Sequence, residues 1–457
     1  MTRTGLARSL SGQRCGRTGP GQEVALVDIA LWIVLGILTA LVALGAFVGA
    51  QFLTRGTPIE RLRALERDRT APTAAQEEFR RMVETHVSTE LTRGNRVEIL
   101  SNGEEVYPRL FEDLRSARDL ITWHVFWFKP GRLADELEEI LLERARAGVE
   151  VLFLYDWFGT RGVDEAYFRK LKDGGVEVAC FRPPRPTTLY KVQQRSHART
   201  VVVDGRIGYT GGFAIHDDWM GDGRHEGQWR DTSARLEGPA VYQLQAGFID
   251  DWAEATRQLL VGDRVFPEGD ARPGDTHAGV FFSAPALGAT RAEQYFALSI
   301  AGSSETLYIT NAYFVPDDDF RRMLVDAVGR GVDVRVLTPG GNTDRPSTWY
   351  AARCHYEALL EGGVRIYEYR PTMVHAKTLV ADRMWSSVGT MNFDNRSMAL
   401  NDEVTLLCHD PRVGRRLHDR FLQDIELADE LELDAFRRRG AWERAQERAW
   451  VVASRLL

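Results

Sequence analysis

An internal repeat restricts the folds open to this chain more than any other feature of its sequence. The segment AGVEV at 147–151 matches RGVDV at 330–334, and each copy follows an amphipathic helical pattern and leads into an apolar strand pattern. A second pair, KDGGVEV at 172–178 and LEGGVRI at 360–366, follows in the same order. Because a repeated supersecondary unit implies a repeated domain, we expect two related lobes.

A third repeated pair completes each unit and sets the expected boundaries. It joins SHARTVVVDGRIGYTGG at 196–212 to VHAKTLVADRMWSSVGT at 374–390. Helical patterns alternate with short strands rich in Val, Ile and Leu, which is typical of α/β units with buried sheets. We therefore predict a first lobe over residues 95–262 and a second over residues 263–430, with any site between them pseudo-symmetric.

An apolar run near the N-terminus departs from the pattern of a soluble chain. The 22 residues from Ile29 to Ala50 carry no charge and are enough to cross about 30 Å of hydrocarbon as a helix. We predict a disordered tail over residues 1–23, a membrane anchor over 24–53 and an exposed helical connector over 54–94. A secretory signal is the alternative, since Val48-Gly49-Ala50 resembles a cleavage site, but the run is longer than a signal core.

The net charge and the cysteine content argue against two classes of function, nucleic-acid coating and metal binding. Lys and Arg total 58 against 65 Asp and Glu, a formal charge of −7 that argues against a protein built to coat nucleic acid. The four cysteines form no Cys-x-x-Cys pair, and His225, Glu226 and His355 have no ligand partners at metal spacing. We therefore assign no metal.

Each copy of the third repeat carries a histidine, a cation two residues later and an aspartate five residues further on. Alternate residues of a strand face one side, so the base and the cation of each copy are expected to point together. An imidazole can attack phosphorus or carry a proton, while a fixed cation offsets the charge of the non-bridging oxygens. Recurrence in both copies favours a phosphoryl-transfer site over two surface pairs. The residues are His197, Arg199 and Asp204 in the first copy and His375, Lys377 and Asp382 in the second.

Each motif is followed by a tight turn and then by an acidic residue. The turns are Thr210-Gly211-Gly212 and Gly389-Thr390-Met391-Asn392, where glycine permits close backbone approach to an anion. Asp231 and Glu403 come next in their copies, and each could accept a hydrogen bond from a histidine and fix its tautomer.

Together the paired motifs, the two turns, WRDT at 229–232 and NAYFVP at 311–316 resemble the phospholipase D superfamily, and within it the bacterial cardiolipin synthase branch. The resemblance covers both lobes, from about residue 95 to the C-terminus. It implies two pseudo-symmetric α/β/α lobes, one active site at their interface, no metal or other cofactor, and a phosphohistidine intermediate. Together with the predicted N-terminal transmembrane helix, which precedes the lobes, the resemblance implies a membrane-anchored phosphatidyltransferase that makes cardiolipin from two phosphatidylglycerol molecules.

The resemblance also implies a role for each matched residue. His197 would be the nucleophile and His375 the acid and base, with the reverse assignment left open. Asp231 and Glu403 would orient the imidazoles. Asp204 and Asp382 belong to the catalytic motif as structural supports rather than proton-transfer groups. The phosphate would be held by Arg199, Lys377, Asn392, Gly211 and Thr390.

Three departures from the family pattern keep other functions open. Arg199 stands where the family has lysine, Ala214 stands opposite Asn392 where asparagine is usual, and the family commonly carries two N-terminal spans. The alternatives are a phospholipase D that releases phosphatidic acid and a catalytically impaired lipid-binding scaffold. A nuclease is disfavoured by the acidic chain and its apolar run. The lobes are expected on the cytoplasmic side of a bacterial inner membrane, and the oligomeric state is left open.

The last residues, 431–457, predict an amphipathic helix. Its apolar stripe repeats every three or four residues, with arginines nearby. A helix on a membrane surface and a helix docked on the second lobe are both open. The stripe consists of Trp442, Ala445, Ala449, Val452 and Leu456.

Overall fold

The structure is a computed structural model, and it describes residues 20–53, 59, 61–62, 71–186, 191, 193–269, 271–285 and 290–454. Its contacts divide the chain into two units, Met1–Arg55 and Gly56–Leu457. The predicted tail up to residue 19, most of residues 54–70 of the predicted connector and the end of the predicted C-terminal helix lie outside the described residues.

The described part of the first unit is helix α1 (Pro20–Leu53). Its side chains are described at residues 29 and 31–46, where apolar groups are exposed, Trp32 at 73%. No helix in the part of the chain that the structure describes is both long and apolar enough to cross a membrane. The predicted anchor therefore stays a prediction.

The second unit begins with helix α2 (Glu77–Val87), which is followed by the first lobe. That lobe consists of β1 (Thr92–Ser101), α3 (Asn102–Ser116), β2 (Leu120–Val125), α4 (Arg132–Arg146), β3 (Glu150–Asp156), α5 (Glu165–Asp173), β4 (Glu177–Phe181), β5 (Thr200–Val203), β6 (Ile207–Gly211), β7 (Thr232–Glu237) and α6 (Val241–Thr256).

The second lobe repeats this order, with an additional short helix, α10, between β13 and β14 and further elements after α11. It consists of β8 (Thr276–Ser283), α7 (Arg291–Gly302), β9 (Thr306–Asn311), α8 (Asp318–Gly329), β10 (Asp333–Pro339), α9 (Pro346–Glu361), β11 (Arg365–Tyr369), β12 (Lys377–Ala381), β13 (Trp385–Gly389), α10 (Asn395–Ala399), β14 (Glu403–His409), α11 (Pro411–Ile425), β15 (Ala428–Glu430), α12 (Leu433–Arg437) and α13 (Ala441–Ser454).

The strands of both lobes form one sheet. Its order is β15-β11-β10-β9-β12-β13-β14-β8-β1-β7-β6-β5-β2-β3-β4. Strand β1 pairs antiparallel with β7 of its own lobe and with β8 of the second lobe, so the sheet continues from lobe to lobe. Read outward from this seam, equivalent strands follow in the same order on both sides. Each copy of the sequence repeat therefore forms an α/β unit, and the two units share one large sheet.

Helices cover both faces of the sheet and bury its apolar side chains. In the second lobe, α7, α8 and α9 enclose one core and α11 packs on the opposite face. In the first lobe, α3, α4 and α5 cover one face and α6 the other. Several helices begin at residues that cap free backbone N–H groups, including Asp317 before α8 and Asp410 before α11.

Helix α2, within the predicted exposed connector, is buried along one side. Phe79, Val83 and Val87 of α2 are buried in the core of the second lobe, and the Phe79 ring lies 5.3 Å from that of Trp385. Strand β1 begins at Thr92, inside the predicted connector. The charged residues between these apolar positions face outward. Because charged residues outnumber the three buried apolar ones, the segment resembles a fully solvated helix in sequence, although its apolar residues form a stripe with helical spacing.

Candidate active site

The two histidines lie in extended segments that lead into β5 and β12. The repeat pattern predicted that each histidine lies on its strand, but the strands begin at Thr200 and Lys377, so neither histidine is part of its strand. Instead, each segment pairs with the other lobe. The His197 N–H donates to the Asp402 carbonyl at 2.8 Å, and the His375 N–H donates to the Arg230 carbonyl at 2.7 Å. Each histidine is thereby anchored next to the acid of the opposite lobe.

The imidazoles are bound by those acids. His197 Nδ1 lies 3.0 Å from each carboxylate oxygen of Glu403, and His375 Nδ1 lies 2.9 Å from Asp231 Oδ2. All four side chains are buried. A carboxylate can only accept here, so Nδ1 carries the proton and Nε2 keeps its lone pair in both rings. The site therefore holds two imidazoles with a nucleophilic or basic nitrogen available.

Burial and charge keep both imidazoles neutral. Burial, together with Arg199 and Lys377, lowers the pKa of His197 to about 4 despite the attraction of Glu403. Burial and Lys377 lower the pKa of His375 to about 3 in the same way. Burial would raise the pKa of Asp231, but His375 and Lys377 lower it to about 2. At neutral pH the site thus combines neutral bases with ionised acids.

The cations predicted beside each histidine are in place. Arg199 Nη2 lies 3.1 Å from His197 Nε2, and Lys377 Nζ donates to the His375 carbonyl. Both cations are buried, and burial with the nearby Arg199 lowers the pKa of Lys377 to about 7. Asn392 is also buried, and its amide donates to Ser397 Oγ at 3.3 Å. Two buried cations beside the two imidazoles favour an anionic ligand.

The turns after the motifs support the acids. In the strand register, Gly212 follows β6 as Thr390 follows β13. A Cβ on Gly212 would lie 2.1 Å from Asp231 Oδ1, so only glycine allows that carboxylate to approach. The Thr390 hydroxyl, in the equivalent place, donates to Glu403. Gly211 packs against β7 with a φ of 142°. The contacts of Gly211 and Thr390 are thus with the strands that carry the acids.

Asp204 and Asp382 lie apart from the histidines, at the opposite ends of β5 and β12. The Asp204 carboxylate accepts three backbone N–H groups at the start of β2, from Arg118, Asp119 and Leu120. The Asp382 carboxylate accepts the equivalent N–H groups of Ser304, Glu305 and Thr306 at the start of β9. Both aspartates therefore join neighbouring strands and lie outside the catalytic cluster.

Aromatic residues that the repeat did not reveal enclose the imidazoles. The Phe126 ring lies 4.8 Å from that of His197, and the rings of Trp219 and Trp229 lie 5.1 and 5.4 Å from that of His375. Trp219 Nε1 also donates to Asp231 Oδ2 at 2.8 Å. Trp229 is the first residue of the WRDT motif, which could have indicated in the sequence that it lies near the site. Trp219 is in no such motif.

Comparisons with a family model and with curated proteins both match this chain to proteins described as cardiolipin synthases. The family described as cardiolipin synthase, PLD-like domain, matches residues 298–425. The chain is 34% identical over 362 residues to cardiolipin synthase 2 of Bacillus anthracis, covering 78% of this chain and 70% of that protein. It is 33% identical over 361 residues to cardiolipin synthase of Staphylococcus aureus strain Mu50, covering 78% and 72%.

A solved structure shares the fold. The phosphatidylserine synthase of Haemophilus influenzae Rd KW20 superimposes with a TM-score of 0.64 at 13% identity, over 83% of this chain and 100% of that one. At this identity the likeness concerns the fold alone, and it extends across both lobes.

Proposed function

The chain belongs to the cardiolipin synthase family of phospholipase D-like phosphatidyltransferases, and we propose that it converts two phosphatidylglycerol molecules into cardiolipin and glycerol. The single observation that carries the proposal is the crossed pairing of His197 with Glu403 and of His375 with Asp231, beside two buried cations. Such a set provides a nucleophile, a proton carrier and an anion site in one pocket.

The first displacement frees glycerol. Arg199 and Lys377 hold the non-bridging oxygens of the donor phosphodiester, and the amide of Asn392 adds a donor. His197 Nε2 attacks phosphorus, and the bond from phosphorus to the headgroup oxygen breaks. As the donor phosphate binds, His375 takes up a proton from solvent at Nε2. It then gives this proton to that oxygen, so glycerol leaves neutral and the phosphatidyl group stays on His197. The bound phosphate offsets the two cations and thereby raises the pKa of His375, as an acid requires.

The second displacement uses the same groups in reverse. The headgroup hydroxyl of a second phosphatidylglycerol gives its proton to His375 Nε2 and attacks phosphorus. The bond from phosphorus to His197 breaks, cardiolipin leaves, and both imidazoles return to their starting protonation. Water in place of the lipid hydroxyl would give phosphatidic acid. The aromatic groups around the imidazoles, Phe126, Trp219 and Trp229, support the exclusion of water at this stage.

Membrane attachment is part of the proposal. The uncharged run from Ile29 to Ala50 would anchor the chain in a bacterial inner membrane, with the lobes on the cytoplasmic side. Protease protection of a C-terminal epitope in sealed inverted vesicles measures the orientation. Digestion of the epitope supports cytoplasmic lobes, and full protection contradicts them.

Lipid mass spectrometry in a cardiolipin-deficient bacterial host tests the activity. We expect cardiolipin with the wild-type chain and none with His197→Ala or His375→Ala at matched protein levels. Phosphatidic acid without cardiolipin would mean that water is the acceptor. An unchanged lipid profile with the wild-type chain would contradict the proposal.

A donor substrate with a good leaving group distinguishes the role of His197 from that of His375. A phosphatidyl ester of para-nitrophenol needs no proton to depart, so it should restore nitrophenol release in His375→Ala and leave His197→Ala inactive. Intact-protein mass spectrometry should then detect a phosphatidyl adduct in the His375 variant. Rescue of His197→Ala instead would exchange the two roles.

A further inference from the structure

The C-terminal helix α13 packs on the second lobe with its polar side inward. Arg353 on α9 is buried and pairs with Glu368 at 2.6 Å, with Glu443 at 2.9 Å and with Glu447 at 3.5 Å. Arg439 pairs with Glu447 at 2.8 Å. Glu447 itself is only 1% exposed. A helix on a protein surface normally buries its apolar stripe, so the arrangement here is reversed.

As a consequence, the part of the apolar stripe of α13 that the structure describes faces outward. Trp442 is 76% exposed, and Ala445 and Ala449 are exposed on the same stripe. The side chains of Arg444 and Arg448 are exposed alongside. These five residues define the outer face of α13, which joins an apolar surface to positive charge. The sequence pattern predicted the stripe but placed no constraint on which side would be buried.

The direction of α13 brings its end toward the start of α9. Arg439, ahead of α13, lies 3.9 Å from Glu357, and Glu443, within α13, lies 2.9 Å from Arg353. As the residue number increases from Arg439 to Glu443, the residue number of the partner on α9 decreases from Glu357 to Arg353. The two helices are therefore antiparallel.

The start of α9 lies next to the catalytic cations. The ring of Tyr313 lies 6.0 Å from Lys377 Nζ, and its hydroxyl donates to Asp344 at 2.8 Å. Helix α9 begins immediately beyond, at Pro346. The end of α13 is therefore directed toward the start of α9, which Asp344 and Tyr313 connect to Lys377.

We propose that the outer face of α13 binds an anionic phospholipid surface and holds the active site against the bilayer from which the substrate enters. Tryptophan prefers the level of the lipid headgroups, and arginine is attracted to anionic lipid. An amphipathic helix of this composition inserts shallowly, parallel to the surface. The inference rests on the proposed function, whose substrate is an anionic bilayer lipid.

The proposal is tested by measuring activity on phosphatidylglycerol in a bilayer and on phosphatidylglycerol dissolved as monomers. Trp442→Glu should lower cardiolipin formation about tenfold or more in proteoliposomes containing phosphatidylglycerol, and leave the rate on short-chain phosphatidylglycerol below its micelle concentration unchanged. Val261→Glu, at a loop residue that is equally exposed at 76%, is the matched control and should change neither rate. Equal losses on both substrates, or no loss in proteoliposomes, would overturn the proposal.

Hydroxyl-radical footprinting gives a readout that does not need turnover. In proteoliposomes, Trp442 should be protected from oxidation when phosphatidylglycerol is present and exposed when the lipid is phosphatidylcholine alone. Because this readout is independent of activity, an inactive but protected protein would reject the proposed function and keep the membrane contact. Protection in detergent that rises with protein concentration would assign the face to a second copy of the chain instead.

Discussion

The imidazole of His197, in the first lobe, is oriented by the carboxylate of Glu403, in the second, with Nδ1 3.0 Å from both carboxylate oxygens. The relationship is reciprocal, since His375 of the second lobe binds Asp231 of the first at 2.9 Å. His197 and His375 therefore each take their acid from the opposite lobe, and a functional site requires both copies of the repeat.

Neutralising one acid should disable the site without unfolding it. Glu403→Gln keeps the shape of the side chain but no longer stabilises the proton on His197 Nδ1, so we expect the turnover number to fall by about 10²- to 10⁴-fold. Turnover on phosphatidylglycerol and thermal melting of the same sample measure the two effects. Near-wild-type turnover would show that Glu403 is not needed to orient His197.

Replacing Arg199 by lysine should preserve most activity. The substitution restores the family's usual residue and keeps a positive charge near His197, so we expect turnover within about tenfold of wild type. Arg199→Ala is the comparison, and we expect a loss of about 10²- to 10³-fold because the phosphate loses a cation. If the lysine variant loses as much as the alanine variant, the pocket depends on the guanidinium group itself.

Gly212→Ala should disturb Asp231 directly. The added Cβ would lie 2.1 Å from a carboxylate oxygen, so Asp231 must move away from His375. We expect turnover to fall about 100-fold, and the free energy of unfolding to fall by about 1–3 kcal/mol. Gly329→Ala, at a helical position with nothing within 4 Å, is the control and should leave turnover unchanged. Equal turnover in the two variants would contradict the close approach.

The neutral histidines should make stability depend on pH. In the fold, the pKa of His197 is about 4 and that of His375 about 3, against 6.5 for the free side chain. Below pH 6.5 the unfolded chain therefore binds more protons at these sites, and a stabilising contribution that is present at pH 7 is lost as the pH falls. By linkage the loss at pH 5 is about 2 kcal/mol for each histidine.

A double variant isolates this effect from other titrating groups. His197→Gln combined with His375→Gln removes both imidazoles, so its melting temperature relative to wild type should be higher at pH 5 than at pH 7. Calorimetry of both proteins at the two pH values measures the difference. A difference independent of pH would mean that the imidazoles are not held neutral in the fold.

Several features of the fold and site could be predicted from sequence because they depend on local pattern. The repeat indicated two related α/β lobes, and the motif spacing identified the histidines, the cations and both acids, all of which the structure brings into one buried cluster. The environment of α2 could not be predicted in this way. Its apolar positions are three or four residues apart among charges, and only the second lobe supplies the surface that buries them.

By itself, the sequence determined which chemical groups the site contains, because each motif is short and its residues are neighbours in the chain. Only the tertiary structure decided how those groups pair. Strand β1 joins the lobes edge to edge, and this long-range pairing brings His197 to an acid 206 residues away. The orientation of α13 was decided in the same way, since Glu443 and Glu447 on its polar side pair with Arg353 of α9, far away in the sequence.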